Sequence, residues 1–282
     1  MRPSSLAVVG LGAIGGSLAW QARLAGVARV VGYSPSRADG VQALSSGAIS
    51  ELADSAPKAL RGAELIVLAV PAQVTLDLIG RLRPVLEPGA LLTDVCSVKA
   101  PVVARAVSEG LGDRFAGGHP LAGTHASGFQ AARPDRLRGC VVYVCETGAP
   151  GGDQAARRLV SFWEQTLDAQ PVLIDAESHD RQLAWTSHLP QAVASALARA
   201  LADRGLAGVS FGTGARDTTR LAASSPDMWI DVLLYNRAAV AEAIGATEAS
   251  LSQLRALVIS GDANGLRDYL TAAQRFREAL DR

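Results

Sequence analysis

The chain has 282 residues, with 27 basic and 27 acidic side chains, so its formal net charge is zero. It therefore lacks the positive excess that non-specific binding to nucleic acid or to an anionic membrane surface requires. Its three cysteines, Cys96, Cys140 and Cys145, do not have the spacing of a disulfide framework or a metal site. No apolar stretch approaches the roughly 20 residues that span a bilayer. We predict a cytoplasmic protein with reduced thiols and no metal, nucleic-acid or membrane partner.

Strands and helices are predicted to alternate through the first 175 residues. Apolar runs predict strands at 5–9, 28–31, 64–70, 90–95, 114–117, 140–145 and 170–174. Helical periodicity lies between them, at 14–24, 74–82, 100–109 and 153–167. Because several of these strands are apolar on both faces, we predict a doubly wound, mostly parallel sheet of the Rossmann type, with helices covering it.

The pattern changes after Asp175, where helical periodicity takes over. Helices are predicted at 176–204, 226–245, 248–259 and 263–281. We therefore divide the chain into a dinucleotide-binding domain, residues 1–175, and an all-helical substrate-binding and dimerisation domain, residues 176–282. Pro190 has no backbone amide and should disturb the first of these helices near Thr186. The apolar excess of the last helices favours a homodimer.

A glycine-rich turn connects the first strand to the first helix. Gly10, Gly12 and Gly15 satisfy the spacing GxGxxG, which provides a tight turn, a close approach to a pyrophosphate and close packing of helix on strand. With Ala13 and Ile14 they would place the anion at the helix N-terminus. The alternative is a turn whose glycines serve packing alone.

The end of the second strand bears on the choice of cofactor. A site for NAD usually has an acidic residue about 20 residues beyond the glycines, and Ser34 stands at that position here. Ser34 and Arg37 could together hold a 2′-phosphate, which an acid would repel. We predict a preference for NADP, with NAD as the alternative. The alternative interpretation of Arg37 is a solvated residue at the start of a helix.

Polar residues then follow the predicted strand ends and interrupt the helical region. They occur in DVCSVK (94–99), GGHPLAGTHASG (117–128), the pair His179-Asp180, SHLPQ (187–191) and RDTTRLAASSPDMW (216–229). In this order, and over nearly the whole chain, these motifs resemble the prephenate and arogenate dehydrogenases of tyrosine biosynthesis. The resemblance implies oxidative decarboxylation of a cyclohexadienyl substrate, with hydride transfer to NAD(P).

The resemblance also implies roles for particular residues. His119 would accept a hydrogen bond from the substrate hydroxyl as hydride leaves, and Ser97 would bind the same hydroxyl and help to position the nicotinamide. Arg220 would bind a substrate carboxylate, with Asp180 as its orienting partner. The resemblance further assigns substrate binding to His188, His125, Gln191 and Arg216, and cofactor binding to Val70.

Several points stay open at this stage. A neutral His125 favours prephenate, whereas use of NADP favours arogenate. His179 faces away from Asp180 on a helical wheel and reads as structural, and Lys99 reads as a solvated ammonium. Two other functions compete: a β-hydroxyacid-type NAD(P) dehydrogenase, which would need a lysine that helix 176–204 lacks, and a non-catalytic dinucleotide-sensing module, which would tolerate loss of His119.

Overall fold

The computed structural model describes residues 2–123, 126–206 and 209–280. Its central feature is an eight-stranded sheet in the order β3-β2-β1-β4-β5-β6-β7-β8. The strands are β1 (Ser5–Val9), β2 (Arg29–Tyr33), β3 (Glu51–Leu52), β4 (Leu65–Leu68), β5 (Leu91–Asp94), β6 (Phe115–Pro120), β7 (Val141–Cys145) and β8 (Gln170–Leu173). Among the strands of the described ranges, only β6 and β7 pair antiparallel. The first six strands have the 3-2-1-4-5-6 order of dinucleotide-binding folds, which confirms the predicted fold class.

The helices on the sheet connect successive strands, and more helices follow β8. They are α1 (Ala13–Leu24), α2 (Arg37–Ser45), α3 (Ala56–Ala59), α4 (Ala72–Leu82), α5 (Ala100–Ser108), α6 (Gly152–Gln165), α7 (Ala176–Leu183), α8 (Leu189–Asp203), α9 (Thr213–Thr219), α10 (Pro226–Tyr235), α11 (Arg237–Ser260) and α12 (Ala263–Ala279). None of the helices in the described ranges is long and apolar enough to cross a membrane.

Both faces of the sheet are buried. In β1, Leu6 and Val8 belong to one apolar cluster while Ala7 and Val9 belong to another. The first cluster includes residues of α1 and α6, and the second includes residues of α4 and α5. This two-sided burial explains why the strands are continuously apolar in sequence.

The chain forms two compact units. The first comprises Met1–Leu183 and Ala223–Asn236, and the second comprises Ala184–Ala222 and Arg237–Arg282. Helix α10 belongs to the first unit, where the Asp231 carboxylate accepts a hydrogen bond from the backbone amide of Gln73 at 3.3 Å. In the second unit the hydroxyls of Ser250 and Tyr269 join α11 to α12 at 2.5 Å.

Two predicted helical segments differ from the observed ones. The hydrogen-bond pattern widens to a π-helical turn over Ala184–His188, between α7 and α8. This turn contains the predicted site of disturbance at Thr186. The predicted break near residue 246 is wrong, because α10 ends before Asn236 and α11 then continues unbroken to Ser260. Asn236 is fixed at that break, since its side-chain amide donates to the Asp180 carbonyl at 2.6 Å.

Candidate active site

The glycine turn leaves a space where an anion fits. A Cβ on Gly10, whose φ is +100°, would lie 2.2 Å from the Ala69 carbonyl oxygen, and a Cβ on Gly15 would lie 2.0 Å from the Gly10 oxygen. A Cβ on Gly12 would meet no described atom within 4 Å. Gly12 directly precedes α1, whose first amides, from Ala13 onward, have no partner within the helix. The turn therefore fits the pyrophosphate of a dinucleotide.

The other predicted cofactor residues follow strands that end at the same edge of the sheet. Val9 is in register with Tyr33 on one side and with Leu68 on the other, so Ser34 and Val70 follow near the glycine turn. Leu68 is in register with Asp94, and Ser97 comes three residues later, half-buried. This edge is where open parallel sheets bind ligands.

The end of β2 presents a serine and an arginine to this edge. Ser34 Oγ accepts a hydrogen bond from the Ser36 amide at 3.2 Å, and Arg37 is exposed as the first residue of α2. The next acidic residue along the chain is Asp39. Its Oδ1 accepts a hydrogen bond from the backbone amide of Phe129 at 2.9 Å. No acidic residue therefore takes the place of Ser34 directly after β2.

His119 lies in β6 and begins a chain of buried hydrogen bonds. Its Nδ1 is 2.9 Å from His179 Nε2, and His179 Nδ1 is 2.7 Å from Asp180 Oδ1. The Asp180 carboxylate also accepts the backbone amides of Lys99 at 2.8 Å and Ala100 at 2.9 Å, at the start of α5. The residues His119, His179 and Asp180 are 8%, 0% and 5% exposed.

The surroundings of His179 favour its neutral form. Burial lowers the pKa of His179 below its ordinary value, and the hydrogen bond with Asp180 acts in the opposite direction. The charges of Lys99 and Asp94 act more weakly and with opposite signs. The Tyr143 ring on β7 packs against the His179 ring at right angles, with 5.3 Å between their centroids.

A buried ion pair links the loop that carries Ser97 to the strand that carries His119. Lys99 and Asp94 are both 0% exposed, and the Lys99 ammonium donates to the Asp94 carboxylate and to the Gly118 carbonyl oxygen. Asp94 also accepts the Cys96 amide at 2.8 Å. Burial is the largest single effect and would lower the pKa of Lys99, but the charge and hydrogen bond of Asp94, together with the nearby Cys96 and Cys145, outweigh it, and the pKa lies above its ordinary value. The prediction of a solvated Lys99 is therefore wrong.

Two residues of α7 make contacts that the sequence did not indicate. The Asp180 carboxylate binds His179 and the backbone amides of Lys99 and Ala100, and its role as orienting partner of Arg220 stays a prediction. The His179 ring, read from the sequence as structural, contacts His119. The helical wheel separated the two residues by 100°, and it could not reveal that both contact the same end of the sheet.

The remaining predicted substrate residues lie in the second unit. His188 is buried at the end of the π-helical turn, and Gln191 is buried in the first turn of α8. Arg216 in α9 and Arg220, which begins a 3-10 turn one helical turn later, are both exposed. His125 falls outside the described residues. Within the described ranges, no group of three or more His, Cys, Asp or Glu is placed to hold a metal ion.

Two family models together match most of the chain. Residues 18–170 match the nucleotide-binding domain of prephenate dehydrogenase, and residues 175–272 match its dimerization domain. The chain belongs to the prephenate dehydrogenase family. Membership makes it an oxidoreductase with a nicotinamide dinucleotide cofactor, in agreement with the space at Gly12.

Individual relatives of this family are similar along nearly the whole chain. Prephenate dehydrogenase of Bacillus subtilis (strain 168) is 33% identical over 98% of this chain and 76% of its own length. The crystal structure of A. aeolicus prephenate dehydrogenase with hydroxyphenyl propionate and NAD+ is 30% identical, with a TM-score of 0.88 and 98% of each chain covered. That of Synechocystis arogenate dehydrogenase is 29% identical, with a TM-score of 0.83 and 98% and 99% of the two chains covered.

Proposed function

We propose that this chain catalyses the oxidative decarboxylation of a cyclohexadienyl substrate, prephenate or arogenate, as in tyrosine biosynthesis. The observation that carries the proposal is the buried chain from His119 through His179 to Asp180, near the sheet edge where the glycine turn lies. Such a series of hydrogen bonds suits a histidine that accepts and returns a proton beside a bound dinucleotide. The names of the similar proteins support this choice of substrate class.

We propose that His119 accepts the proton of the substrate hydroxyl at Nε2. The bound dinucleotide supplies the hydride acceptor. As the C–H electron pair leaves, the O–H pair becomes the second bond of a carbonyl, and the proton resides on His119. Loss of carbon dioxide returns an electron pair to the ring, which becomes aromatic, and the oxygen takes its proton back. His119 therefore ends each cycle in the state in which it began.

Other residues of the chain would bind and orient. Ser97, three residues beyond β5, is proposed to hydrogen-bond the same hydroxyl and to position the nicotinamide. Arg220 is proposed to hold a substrate carboxylate, which a guanidinium can bind with two parallel hydrogen bonds. His188, Gln191 and Arg216 are proposed to complete the substrate site.

We propose that NADP is preferred over NAD. Ser34 stands where an acid would bind the ribose hydroxyls, Arg37 is exposed three residues later, and Asp39 is bound to the Phe129 amide. A 2′-phosphate would thus meet a hydroxyl and a guanidinium rather than a carboxylate. Initial-rate kinetics test this choice, since a higher kcat/KM with NAD would contradict it.

We also propose a homodimer formed through the helical part, with the chain divided into a dinucleotide-binding domain, residues 1–175, and a substrate-binding and dimerisation domain, residues 176–282. The second family model, a dimerization domain, supports both proposals. Helices α11 and α12 expose large apolar side chains, namely Leu251, Val258, Ile259, Leu270 and Phe276. The three free thiols fit a reducing, cytoplasmic environment.

One assay tests the function directly. Purified protein is incubated with prephenate or arogenate, each with NAD or NADP, and the reduced cofactor is followed by its absorbance. His119→Asn should lower kcat by about 10²–10⁴-fold with cofactor affinity nearly unchanged, because the asparagine amide can still bind His179 but offers no base at the Nε2 position. Absence of turnover in all four combinations would contradict the proposal.

A further inference from the structure

We propose that His179 and Asp180 are positioning residues that hold the proton of neutral His119 on Nδ1 and so keep the lone pair on Nε2. An imidazole free in water favours the opposite tautomer, with its proton on Nε2. The meaning of this lone pair for catalysis rests on the proposed function. The tautomer itself is a property of the protein alone.

The reasoning begins at Asp180. Its carboxylate accepts the amides of Lys99 and Ala100 at 2.8 and 2.9 Å, at the N-terminus of α5. The positive end of a helix dipole stabilises a negative charge at this position. An ionised carboxylate only accepts hydrogen bonds. The contact of 2.7 Å between Asp180 Oδ1 and His179 Nδ1 therefore places a proton on His179 Nδ1.

The next step passes through the ring of His179. A neutral imidazole carries one N–H, so a proton on Nδ1 makes Nε2 an acceptor. His179 Nε2 lies 2.9 Å from His119 Nδ1. His119 must then donate from Nδ1, and its own Nε2 carries the lone pair. Two hydrogen bonds thus transmit the charge of Asp180 to the tautomer of His119.

The competing arrangement has a doubly protonated His179. The Nε2–H of His179 would then donate to His119 Nδ1, and the single proton of neutral His119 would lie on its Nε2. In that state His119 Nε2 could not accept the proton of a substrate hydroxyl. Complete burial disfavours this imidazolium, and the Lys99 ammonium disfavours it further. Asp180 and Asp94 favour it, but Asp94 is already paired with Lys99. From β7, the Tyr143 ring packs nearly at right angles against the His179 ring.

Nitrogen NMR tests the tautomer without any substrate. The sequence has four histidines, so long-range proton–nitrogen spectra of the wild type are simple, and His119→Asn identifies the signals of residue 119. We expect protonated Nδ1 and unprotonated Nε2 at His119 near pH 7.5. A proton on Nε2 of His119 would overturn the proposal.

Kinetics test the same relay through two variants. Asp180→Ala removes the acceptor beside His179 Nδ1, so nothing fixes the proton of His179 there and both rings can take the opposite tautomer. We expect kcat to fall by about 10²-fold, the lower end of the range for a lost base, with KM and dinucleotide affinity little changed. In His179→Gln the side-chain carbonyl stands near the former Nε2 and can accept the Nδ1–H of His119. This variant should keep most of kcat.

The double variant separates positioning from a structural role. In the His179→Gln background no imidazole at position 179 can take the opposite tautomer, so adding Asp180→Ala should lower kcat far less than it does in the wild type. An equal loss in both backgrounds would mean that Asp180 acts only by holding α5, and would overturn the proposal. If wild type turned over neither prephenate nor arogenate, the proposed function would fail while the NMR result still decided the tautomer.

Discussion

Replacing Lys99 by methionine should destabilise the protein strongly. The methionine side chain keeps most of the buried volume but removes the ammonium, and the Asp94 carboxylate is then left charged at 0% exposure. Breaking a buried pair by removing one partner costs about 3–5 kcal/mol. For a unit of this size, about 2–4 °C of Tm is lost per kcal/mol, which gives a decrease of roughly 6–20 °C.

The chain supplies a matched control, because it contains only two lysines. Lys58 pairs with Asp54 at 3.0 Å, and both side chains are largely exposed. Lys58→Met should therefore cost less than about 0.5 kcal/mol. Urea unfolding and thermal melts of the two variants measure the difference directly.

A double variant isolates the uncompensated charge. Asp94→Asn combined with Lys99→Met removes both charges, and the asparagine oxygen can still accept the Cys96 amide. The double variant should recover part of the stability that Lys99→Met alone loses. The reasoning is refuted if Lys99→Met costs as little as Lys58→Met, or if the double variant is less stable than Lys99→Met.

Three further predictions concern the cofactor, acid stability and assembly. Gly12→Ala should weaken NADPH binding by about tenfold or more, seen by fluorescence titration, with an unchanged Tm, because its methyl group enters space that no described atom fills. Gly15→Ala should instead lower Tm, since its methyl group would lie 2.0 Å from a backbone oxygen. The free energy of unfolding should fall as the pH drops below 6.5, because the unfolded chain protonates His179 there while burial lowers the pKa of His179 in the folded state. One proton can change the free energy of unfolding by at most about 1.4 kcal/mol per pH unit. Denaturant titrations should find this pH dependence reduced in His179→Gln. If the proposed dimer forms through α11 and α12, Phe276→Asp, at a residue 68% exposed, should give a monomer in light scattering, whereas Leu24→Asp, at 70%, should leave the mass unchanged.

The sheet could be predicted from sequence because its strands are apolar on both faces and each is followed by a turn. Helix α2 was considered only as a start at Arg37 and was not predicted over its length, because it buries only Gly40 and Ala43 and has no bulky apolar stripe. The two residues of β3 are too few to produce a pattern. The break at Asn236 depends on a hydrogen bond to Asp180, 56 residues away, and no local pattern contains it.

The candidate site divides in the same way. The rule that ligands bind beyond the carboxyl ends of parallel strands places the glycine turn, Ser97 and His119 at one edge of the sheet, and the resemblance to a known family supplies the roles predicted for Ser97 and His119. The partners of His119 do not follow from that rule, because the direction of His179 is set by how α7 packs on β6 and β7. For Lys99 a local feature was available: Asp94, five residues earlier at the end of β5, is the counter-ion that makes burial of the ammonium tolerable.

The burial of Lys99 also determines how this protein reacts with chemical reagents. Amine-directed dyes and cross-linkers need an accessible ammonium, and among the side chains only Lys58 offers one. A single modification there would mark α3 on every molecule with uniform stoichiometry. Lys99, buried against Asp94 and the Gly118 carbonyl, would meanwhile stay out of reach of the reagent until the chain unfolds, so the appearance of a second modified lysine would time that event.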